Sequence, residues 1–276
     1  MNKSNSFLIS ILTIFFSLSA FAKPNFKKVM IIVLENTNYE KALMQPFLSD
    51  FAKRGAILEN MTALTHPSQG NYISMIAGDT FNIKDDKKID LTEKNIADLL
   101  EAKGLTWKVY AEGFPGNCFL GDSAGYVRKH VPFISFKAIS TNPARCKNIL
   151  NADQMMVDLK SDSLPNYSLY IPNMKNDGHD TGVAFADNFL ANKFGKLMKD
   201  PQFMEQMLLV ITFDESGNKK DNKIYTAIYG DSVIAGAISK KPYTHYSILK
   251  TIENIFELGS LNRKDAEASD ISEVLK

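Results

Sequence analysis

The sequence predicts an α/β protein organised around a mostly parallel β-sheet. Residues 28–34 and 207–213 are continuous apolar runs of strand length, a pattern typical of central parallel strands covered on both faces. Amphipathic segments of helical length lie between the strand-like runs, and Gly55 and Gly104 end two of them. These observations place helices against a buried sheet.

The individual elements follow from the same periodicities, taken in chain order. We predict strands at residues 28–34, 57–64, 106–110, 167–171, 207–213, 223–229 and 232–237. We predict helices from Pro67 to residue 77 and at residues 47–54, 95–103, 153–159, 182–198 and 248–258. Three segments lack this periodicity, namely a polar loop at 81–90, an irregular insertion at 112–151 and a loosely attached charged tail at 262–276. Long irregular segments are often functional, so we expect the insertion to lie near the site.

The first 22 residues have the features of a signal peptide. Lys3 gives a positive start, residues 7–18 are apolar, and Ala20-Phe-Ala22 is a small-x-small cleavage site. The apolar run is short for a membrane span, which needs roughly 20 residues, and an uncleaved anchor is the alternative. We therefore expect a periplasmic or secreted protein with no stable membrane insertion after cleavage.

The mature chain of 254 residues (276 minus 22) carries no formal net charge. Loss of Lys3 takes Lys plus Arg from 32 to 31, which equals the 31 Asp plus Glu. A general electrostatic attraction to nucleic acid or anionic lipid is therefore not supported, and we expect no nucleic-acid partner. This length suits one α/β domain or two small ones.

The two cysteines, Cys118 and Cys146, lie in the loop-rich part of the chain. In an exported protein an even pair indicates a disulfide. Such a bond stabilises the fold by roughly 3 to 4 kcal/mol on the chain-entropy estimate. We expect the two to be bonded, and two free buried thiols are the alternative.

Ser68 lies where the strand at 57–64 passes into the next helix. Pro67 suits the first helical turn because it lacks the N–H that would go unpaired there. The free N–H groups and dipole of that turn attract anions, so a hydroxyl at Ser68 is placed to attack a phosphorus. On this stretch alone, the alternative is that Ser68 only caps the helix.

Oxygen-bearing side chains follow two of the predicted buried strands. Glu35-Asn36 come after the first strand, and Asp214-Glu215 come after the strand at 207–213. Open α/β sheets bind ligands at this edge, although Glu35 is equally suited to a helix cap or a solvated strand end. Three carboxylates and an amide suit Mg, Ca or Mn, and nearby histidines bring Zn or Fe into contention. A metal beside a hydroxyl makes it a better nucleophile, which fits phosphoryl transfer.

All four histidines, His66, His130, His179 and His245, fall in predicted loops. His130 follows Arg128-Lys129, a run that meets phosphate oxygens or forms a solvated basic turn. A Ser-His-Asp acyl hydrolase is the competing enzyme class. It usually shows a Gly-x-Ser-x-Gly elbow, whereas the serine here lies in His66-Pro-Ser-Gln-Gly70.

Five motifs taken together resemble the ordered motifs of the phosphoesterase family. They are Leu34-Glu-Asn-Thr-Asn-Tyr39, His66-Pro-Ser-Gln-Gly-Asn-Tyr72, Tyr126 to Phe133, Asn176-Asp-Gly-His-Asp180 and Thr212-Phe-Asp-Glu-Ser216. This family groups bacterial and fungal acid phosphatases with bacterial phospholipases C of the non-toxin type, inside the alkaline-phosphatase-like superfamily. The resemblance runs from about residue 28 to 259, so residues 23–276 are expected to form a single phosphoesterase domain.

The resemblance implies a three-layer α/β/α sandwich, alkaline-phosphatase-like, with the site at the carboxyl ends of the strands. By this resemblance Ser68 is the nucleophile and Asn71 contacts phosphate, while His179 and Asp180 lie around the phosphate and leaving group. The implied ligands of a divalent metal ion are Glu35, Asn36, Asp214 and Glu215.

The leading hypothesis is an exported, metal-dependent acid phosphatase that hydrolyses a small phosphomonoester through a phosphoserine at Ser68. His179 is the candidate proton donor to the leaving alkoxide. The candidate phosphate or substrate contacts are His66, Lys129, His130, Asp180 and His245. A phospholipase C or phosphodiesterase is the second hypothesis. Phospholipase C members of the family that this chain resembles are usually far longer and continue the late motif with a second histidine-bearing stretch. This chain instead passes from Asn218 directly into lysine-rich residues 219–223, which favours a compact phosphatase. A non-catalytic periplasmic binding protein on the same fold is the alternative of another class.

Overall fold

Eight strands form one sheet in the computed structural model, which describes residues 24–218 and 220–276. The predicted signal peptide therefore lies outside the described residues. The strands are β1 Lys28–Leu34, β2 Ala56–Leu58, β3 Trp107–Ala111, β4 Ile149–Asn151, β5 Tyr167–Ile171, β6 Met207–Phe213, β7 Thr226–Tyr229 and β8 Ala237–Ser239. Their spatial order is β4-β3-β5-β1-β6-β7-β2-β8, and only β7 among them runs antiparallel to its neighbours.

Strand β1 lies inside the sheet because both of its edges are paired, with β5 on one side and β6 on the other. The side chains from Val29 to Leu34 are fully buried, as expected for a parallel strand covered on both faces. The register pairs Leu34 with Phe213, so the residues that follow β1 and β6 emerge side by side. This register positions the functional site.

Helices cover both faces of the sheet, which confirms the predicted three-layer sandwich. The α-helices are α1 Tyr39–Leu43, α2 Pro46–Arg54, α3 Gln69–Ala77, α4 Ile96–Ala102, α5 Lys137–Ser140, α6 Pro143–Cys146, α7 Gln154–Lys160, α8 Val183–Leu197, α9 Pro201–Met204, α10 His245–Phe256 and α11 Lys264–Glu267. On β5, Tyr167 packs against Phe133 while Tyr170 packs against Phe194 of α8. Residues three apart on a strand point to opposite faces, so these two contacts lie on opposite sides of the sheet.

Helix α3 carries the residues after Ser68 and is buried along its whole length. It ends at Gly78, whose φ of 68° is left-handed. A Cβ at this position would collide with the Asp265 carboxyl, so glycine is required both for the turn and for this close approach. Pro67 does not begin the helix as predicted, since the first helical residue is Gln69. The peptide bond between His66 and Pro67 is cis.

Some strands and helices have other bounds in the structure than the sequence predicts. Strand β2 is shorter than the predicted 57–64, since beyond Leu58 the chain keeps only isolated bridges at Met61 and Thr62. The insertion at 112–151 is more regular than predicted, because it contains α5, α6, β4 and two short 3₁₀ helices, Arg128–His130 and Pro132–Ser135.

The prediction of a loosely attached C-terminal tail is wrong. Ile271 and Val274 are buried, and Leu275 forms a bridge with Val233. The Asp265 carboxylate is fully buried and accepts the backbone N–H groups of Leu261 and Arg263. The apolar residues of this charged segment therefore complete the core beside α10.

The predicted disulfide between Cys118 and Cys146 is confirmed, and it ties two parts of the insertion together, the loop at Cys118 and the end of α6. Among residues 24–218 and 220–276, no helix is both long and apolar enough to span a bilayer.

Candidate active site

Glu35 and Asp214 are neighbours at the carboxyl ends of β1 and β6. The backbone N–H of Asp214 donates to Leu34 O (2.9 Å), which continues the ladder by one residue. Asn36 then turns the chain with a positive φ of 33°, a conformation that asparagine tolerates better than most residues. This turn directs the Asn36 N–H to Asp214 Oδ1 at 3.2 Å and leaves the Asn36 side chain exposed.

Ser68 occupies the N-cap position of α3, yet its hydroxyl does not cap the helix. The Oγ instead donates to Glu35 Oε2 at 3.3 Å, and Ser68 is almost completely buried. Burial raises the pKa of the nearby Asp214 carboxyl, and the Ser68 hydroxyl partly offsets this rise. The structure thus brings the predicted nucleophile to two of the predicted metal ligands, which are distant in sequence.

Two side chains hold Glu35 Oε1. The Tyr72 hydroxyl donates to it at 2.8 Å, and His130 Nε2 lies 2.9 Å away. The Tyr72 ring also stacks on the His130 ring, with centroids 4.8 Å apart and planes inclined by 15°. Tyr72 therefore holds both the Glu35 carboxylate and the His130 ring in place. Its position in an apolar helical pattern gave no sign of either contact.

Glu35 and Asp214 are both buried, but their pKa values shift in opposite directions. Burial alone would raise the pKa of Glu35, but His130, Tyr72 and Lys129 outweigh it, and the net pKa lies below its ordinary value. Burial, together with the charges of Glu35 and Glu215, raises the pKa of Asp214 well above its ordinary value. Glu35 is therefore the more strongly ionised of the two.

Asn71 lies one turn into α3 and binds the chain ahead of Ser68. Its Oδ1 accepts the N–H groups of Leu64 and Thr65, and its Nδ2 donates to Thr65 O (2.8 Å) and to Glu215 Oε2 (3.4 Å). Glu215 Oε2 also contacts His66 Nδ1 at 2.9 Å. This geometry makes Asn71 a positioning residue for the loop that presents Ser68, while the predicted phosphate contact stays a prediction.

The basic run is not a solvated turn, because Arg128 and His130 are buried in a 3₁₀ helix. Between them, the Lys129 ammonium pairs with Asp86 Oδ2 at 2.8 Å. Burial opposes the charge of Lys129, but Asp86, Glu35 and Asp214 together raise its pKa above the ordinary value. Lys129 is therefore a firmly charged ammonium beside the carboxylate cluster, where the sequence predicts a phosphate contact.

His245 is the clearest departure from the predicted site. The sequence predicts a phosphate contact, but this residue begins α10 and is fully buried. Its Nε2 lies 2.7 Å from the backbone O of Asp214, and burial lowers its pKa to about 4, so the ring is neutral near neutral pH. His245 therefore supports the backbone of Asp214, and its predicted phosphate contact stays a prediction.

The loop after β5 contributes Asp177, which the sequence analysis did not single out. Its backbone O accepts the Glu35 N–H (3.0 Å), and its Oδ2 lies 3.7 Å from His130 Nδ1. Burial and the charge of Glu35 raise the pKa of Asp177 to about 8. The predicted His179 and Asp180 are instead exposed and paired with each other, through Nδ1 and Oδ1 at 2.9 Å.

The fold explains why Asp177, and not Asp180, is the buried acid of this loop. The Asp177 Oδ1 accepts the N–H of His179, and Gly178 between them has a φ of 94°. This tight turn points the first acid of the motif inwards and the following pair outwards. The motif Asn176-Asp-Gly-His-Asp180 was the available signal, but its spacing alone does not say which acid is buried.

The side chains of the site suit a divalent cation in charge and in donor chemistry. Glu35, Asp214 and Glu215 are buried carboxylates, and within the described chain Asp214 Oδ2 has no hydrogen-bond partner. A cation would relieve the repulsion that raises the pKa of Asp214. Across residues 24–218 and 220–276, no three or more His, Cys, Asp or Glu side chains are already arranged around one ion position. An ion here would therefore take further ligands from Asn36, water or substrate, as Mg²⁺ commonly does.

The sequence is similar to a known protein family along most of its length. The model of the Phosphoesterase family matches residues 37–259. A probable acid phosphatase of Kluyveromyces lactis is 38% identical over 260 residues, which cover 88% of this chain and 61% of the relative. A phosphatidylinositol-3-phosphatase of Mycobacterium tuberculosis is 32% identical over 247 residues, which cover 87% of this chain and 80% of the relative. The chain thus spans less than two thirds of the length of the Kluyveromyces protein.

A solved structure shares the fold at low sequence identity. A protein of the alkaline phosphatase superfamily from Vibrio parahaemolyticus superposes with a TM-score of 0.61 at 12% identity. The match covers 91% of this chain and 74% of the other. The predicted alkaline-phosphatase-like fold is therefore confirmed.

Proposed function

Because the chain belongs to the phosphoesterase family, we propose that it is an exported, metal-dependent acid phosphatase that hydrolyses small phosphomonoesters. One observation carries this proposal most directly. A buried serine hydroxyl donates to Glu35 and lies beside Asp214, at the sheet edge where β1 and β6 end in register. A hydroxyl held against two carboxylates suits in-line attack on a tetrahedral phosphorus.

The proposed first step transfers the phosphoryl group to Ser68. The Oγ attacks phosphorus, its proton passes to Glu35 Oε2, and the bond to the leaving oxygen breaks. Tyr72 and His130 keep Glu35 in position for this transfer, since both contact its other oxygen. A water molecule then attacks the phosphoserine, the serine oxygen leaves, and inorganic phosphate is released.

The proposed metal ligands are Glu35, Asn36, Asp214 and Glu215, with Mg, Ca, Mn or Zn as candidate ions. When bound there, a divalent cation would lower the pKa of the serine hydroxyl and offset the charge of the phosphate. Lys129 would bind the phosphoryl oxygens, because its ammonium borders the same carboxylates. His179, exposed at the rim, is the proposed donor of a proton to the leaving alkoxide.

The proposal predicts release of phosphate from a chromogenic phosphomonoester, with loss of activity on chelation and recovery on addition of a divalent ion. Ser68→Ala should abolish turnover. Ser74→Ala is the matched control. It removes a hydroxyl from the same helix, but this hydroxyl donates to the backbone O of Asn71 and not to a carboxylate of the site. Full activity in Ser68→Ala would refute the nucleophile.

Two experimental outcomes would favour a function other than a phosphomonoesterase. Faster turnover of phosphatidylcholine or of a phosphodiester than of a monoester would favour the phospholipase C hypothesis. Purified protein that binds no metal and hydrolyses no phosphoester would favour a binding protein on the same fold.

Export is proposed from the features of residues 1–22 and is supported by the disulfide between Cys118 and Cys146. N-terminal sequencing of the protein recovered from the periplasm or medium should begin at Lys23. An intact N-terminus in the membrane fraction would contradict cleavage.

A further inference from the structure

A cavity of about 300 Å³ opens at the start of α3. Gln69, the residue after Ser68, lines it, together with Asp86, Arg128 and Lys129. Gln69 and Arg128 are buried, whereas Asp86 comes from the polar loop that follows α3. The cavity therefore lies between the start of α3 and the 3₁₀ helix that carries Lys129.

The Asp86 carboxylate bridges two hydrogen-bond donors of this cavity, the backbone N–H of Gln69 and the ammonium of Lys129. Its Oδ1 accepts the N–H of Gln69 at 3.1 Å, and its Oδ2 pairs with Lys129 Nζ at 2.8 Å. The N–H at the start of a helix and an ammonium group are the donors that commonly bind an oxyanion. A protein carboxylate thus takes the position of an anionic ligand.

Lys129 connects this position to the proposed reaction centre. Besides pairing with Asp86, its charge interacts with Glu35, which accepts the Ser68 hydroxyl, and with Asp214 at the end of the neighbouring strand. The next residue in the chain, His130, lies 2.9 Å from Glu35, so the 3₁₀ helix that carries Lys129 borders the site of phosphoryl transfer. A phosphate on Ser68 and the Asp86 carboxylate would compete for the same positive charge.

Arg128 gives independent reason to expect an anion at this cavity. Its guanidinium is buried, and its Nη2 donates to Ile89 O at 2.6 Å and, over a longer distance of 3.5 Å, to Asp90 Oδ1. Its Nε and Nη1 have no hydrogen-bond partner within the described part of the chain. A buried cation with unpaired donors in the wall is stabilised when an anion enters the neighbouring space.

The loop does not depend on the Asp86 carboxylate for its position. The Gln69 side chain donates to the backbone O atoms of Asp85 (3.2 Å) and Lys87 (2.8 Å), on either side of Asp86. Rotation of the Asp86 side chain would therefore free Lys129 while the loop stays anchored.

We propose that Asp86 is a built-in competitor of the substrate phosphate, whose carboxylate occupies an oxyanion position formed by the Gln69 N–H and Lys129 and is displaced when phosphate binds. This inference rests on the proposed phosphatase function, and it assigns Asp86 to the control of affinity for phosphate. The ligand class is a tetrahedral oxyanion, either free phosphate or the phosphoryl group of the ester.

Calorimetric titration of inorganic phosphate into the metal-loaded protein tests the proposal without turnover. Asp86→Asn keeps an acceptor for the Gln69 N–H and removes the charge, so phosphate should bind about threefold or more tightly. The KM for a phosphomonoester should fall in parallel. The matched control is Asp85→Asn, which removes a charge from the adjacent position, where the carboxylate pairs with exposed Lys87 outside the cavity.

The opposite sign would overturn the proposal. If Asp86→Asn binds phosphate equally or more weakly than the wild type, the carboxylate serves to position Lys129. An equal gain in Asp85→Asn would mean a general charge effect and would also refute it. In Lys129→Met the Asp86→Asn substitution should no longer change the affinity, whereas an undiminished gain would contradict competition at Lys129. Wild-type protein that neither binds phosphate nor hydrolyses an ester would instead refute the proposed function.

Discussion

The Tyr72 hydroxyl donates a hydrogen bond of 2.8 Å to Glu35 Oε1, across 37 residues of sequence. The same tyrosine stacks on His130, which lies 2.9 Å from the same carboxylate oxygen. Helix α3 therefore contributes both Ser68, at its start, and the side chain that holds the carboxylate facing Ser68. The nucleophile and its acceptor are aligned by one rigid element.

Tyr72→Phe should lower kcat about 10- to 100-fold, because a hydrogen bond to a charged group contributes about 1.5 to 3 kcal/mol. Steady-state kinetics with a phosphomonoester provide the measurement. Tyr167→Phe is the matched control, since its buried hydroxyl has no hydrogen-bond partner within the described residues. An unchanged kcat in Tyr72→Phe would show that Glu35 needs no support from this hydroxyl.

His179→Ala should slow an alkyl phosphate about 10²- to 10⁴-fold, the usual contribution of a general acid. An aryl phosphate should be much less affected, because its leaving group departs without protonation. The ratio of kcat/KM for the two substrates checks this, with Lys175→Met, at an exposed position of the same loop, as the control. Equal losses on both substrates would assign proton donation elsewhere, and buried Asp177 would be the next residue to test.

Replacing both Cys118 and Cys146 by serine should lower the free energy of unfolding by about 3 to 4 kcal/mol. The estimate follows from the loop entropy for a sequence separation of 28 residues. Urea unfolding of the double variant and the oxidised wild type gives the difference. Coincident transitions would show that the bond adds nothing to the unfolding free energy.

Glu253 on α10 should make the fold less stable as pH rises. Burial and the charge of Asp265 raise its pKa from 4.5 to about 8, so the folded state holds a proton that the unfolded chain releases. This contribution is complete below about pH 4.5 and is lost as pH rises through about 8. Glu253→Gln should flatten the pH dependence of Tm over this window, whereas an unchanged slope would assign the effect to other groups.

The central strands and the acidic ends of two of them were predictable because their signals are local. Strands β1, β5 and β6 have the predicted bounds, since long buried apolar runs specify them without reference to partners. The adjacency of Glu35 and Asp214 then follows from the in-register pairing of β1 with β6. Ser68 was identified by its place between a strand and a helix.

The rest of the site depends on tertiary contacts that leave no periodic pattern. In the sequence, Tyr72 occupies an apolar position of a predicted helix. Only the packing of α3 beside the end of β1 brings Glu35 to its hydroxyl. His245 reads as a loop histidine but is buried by the start of α10. Asp86 belongs to a polar stretch that looks like any solvated loop, and its two contacts come from α3 and Lys129.

The most direct test of the account is identification of the covalent intermediate. Wild-type protein is mixed with a phosphomonoester, quenched in acid during the first turnovers and digested for peptide mass spectrometry. The account predicts a phosphate on Ser68 that is absent from Ser68→Ala and from protein that has received no substrate. A phosphate on His130 or on any other residue, or catalysis that continues in Ser68→Ala, would contradict it.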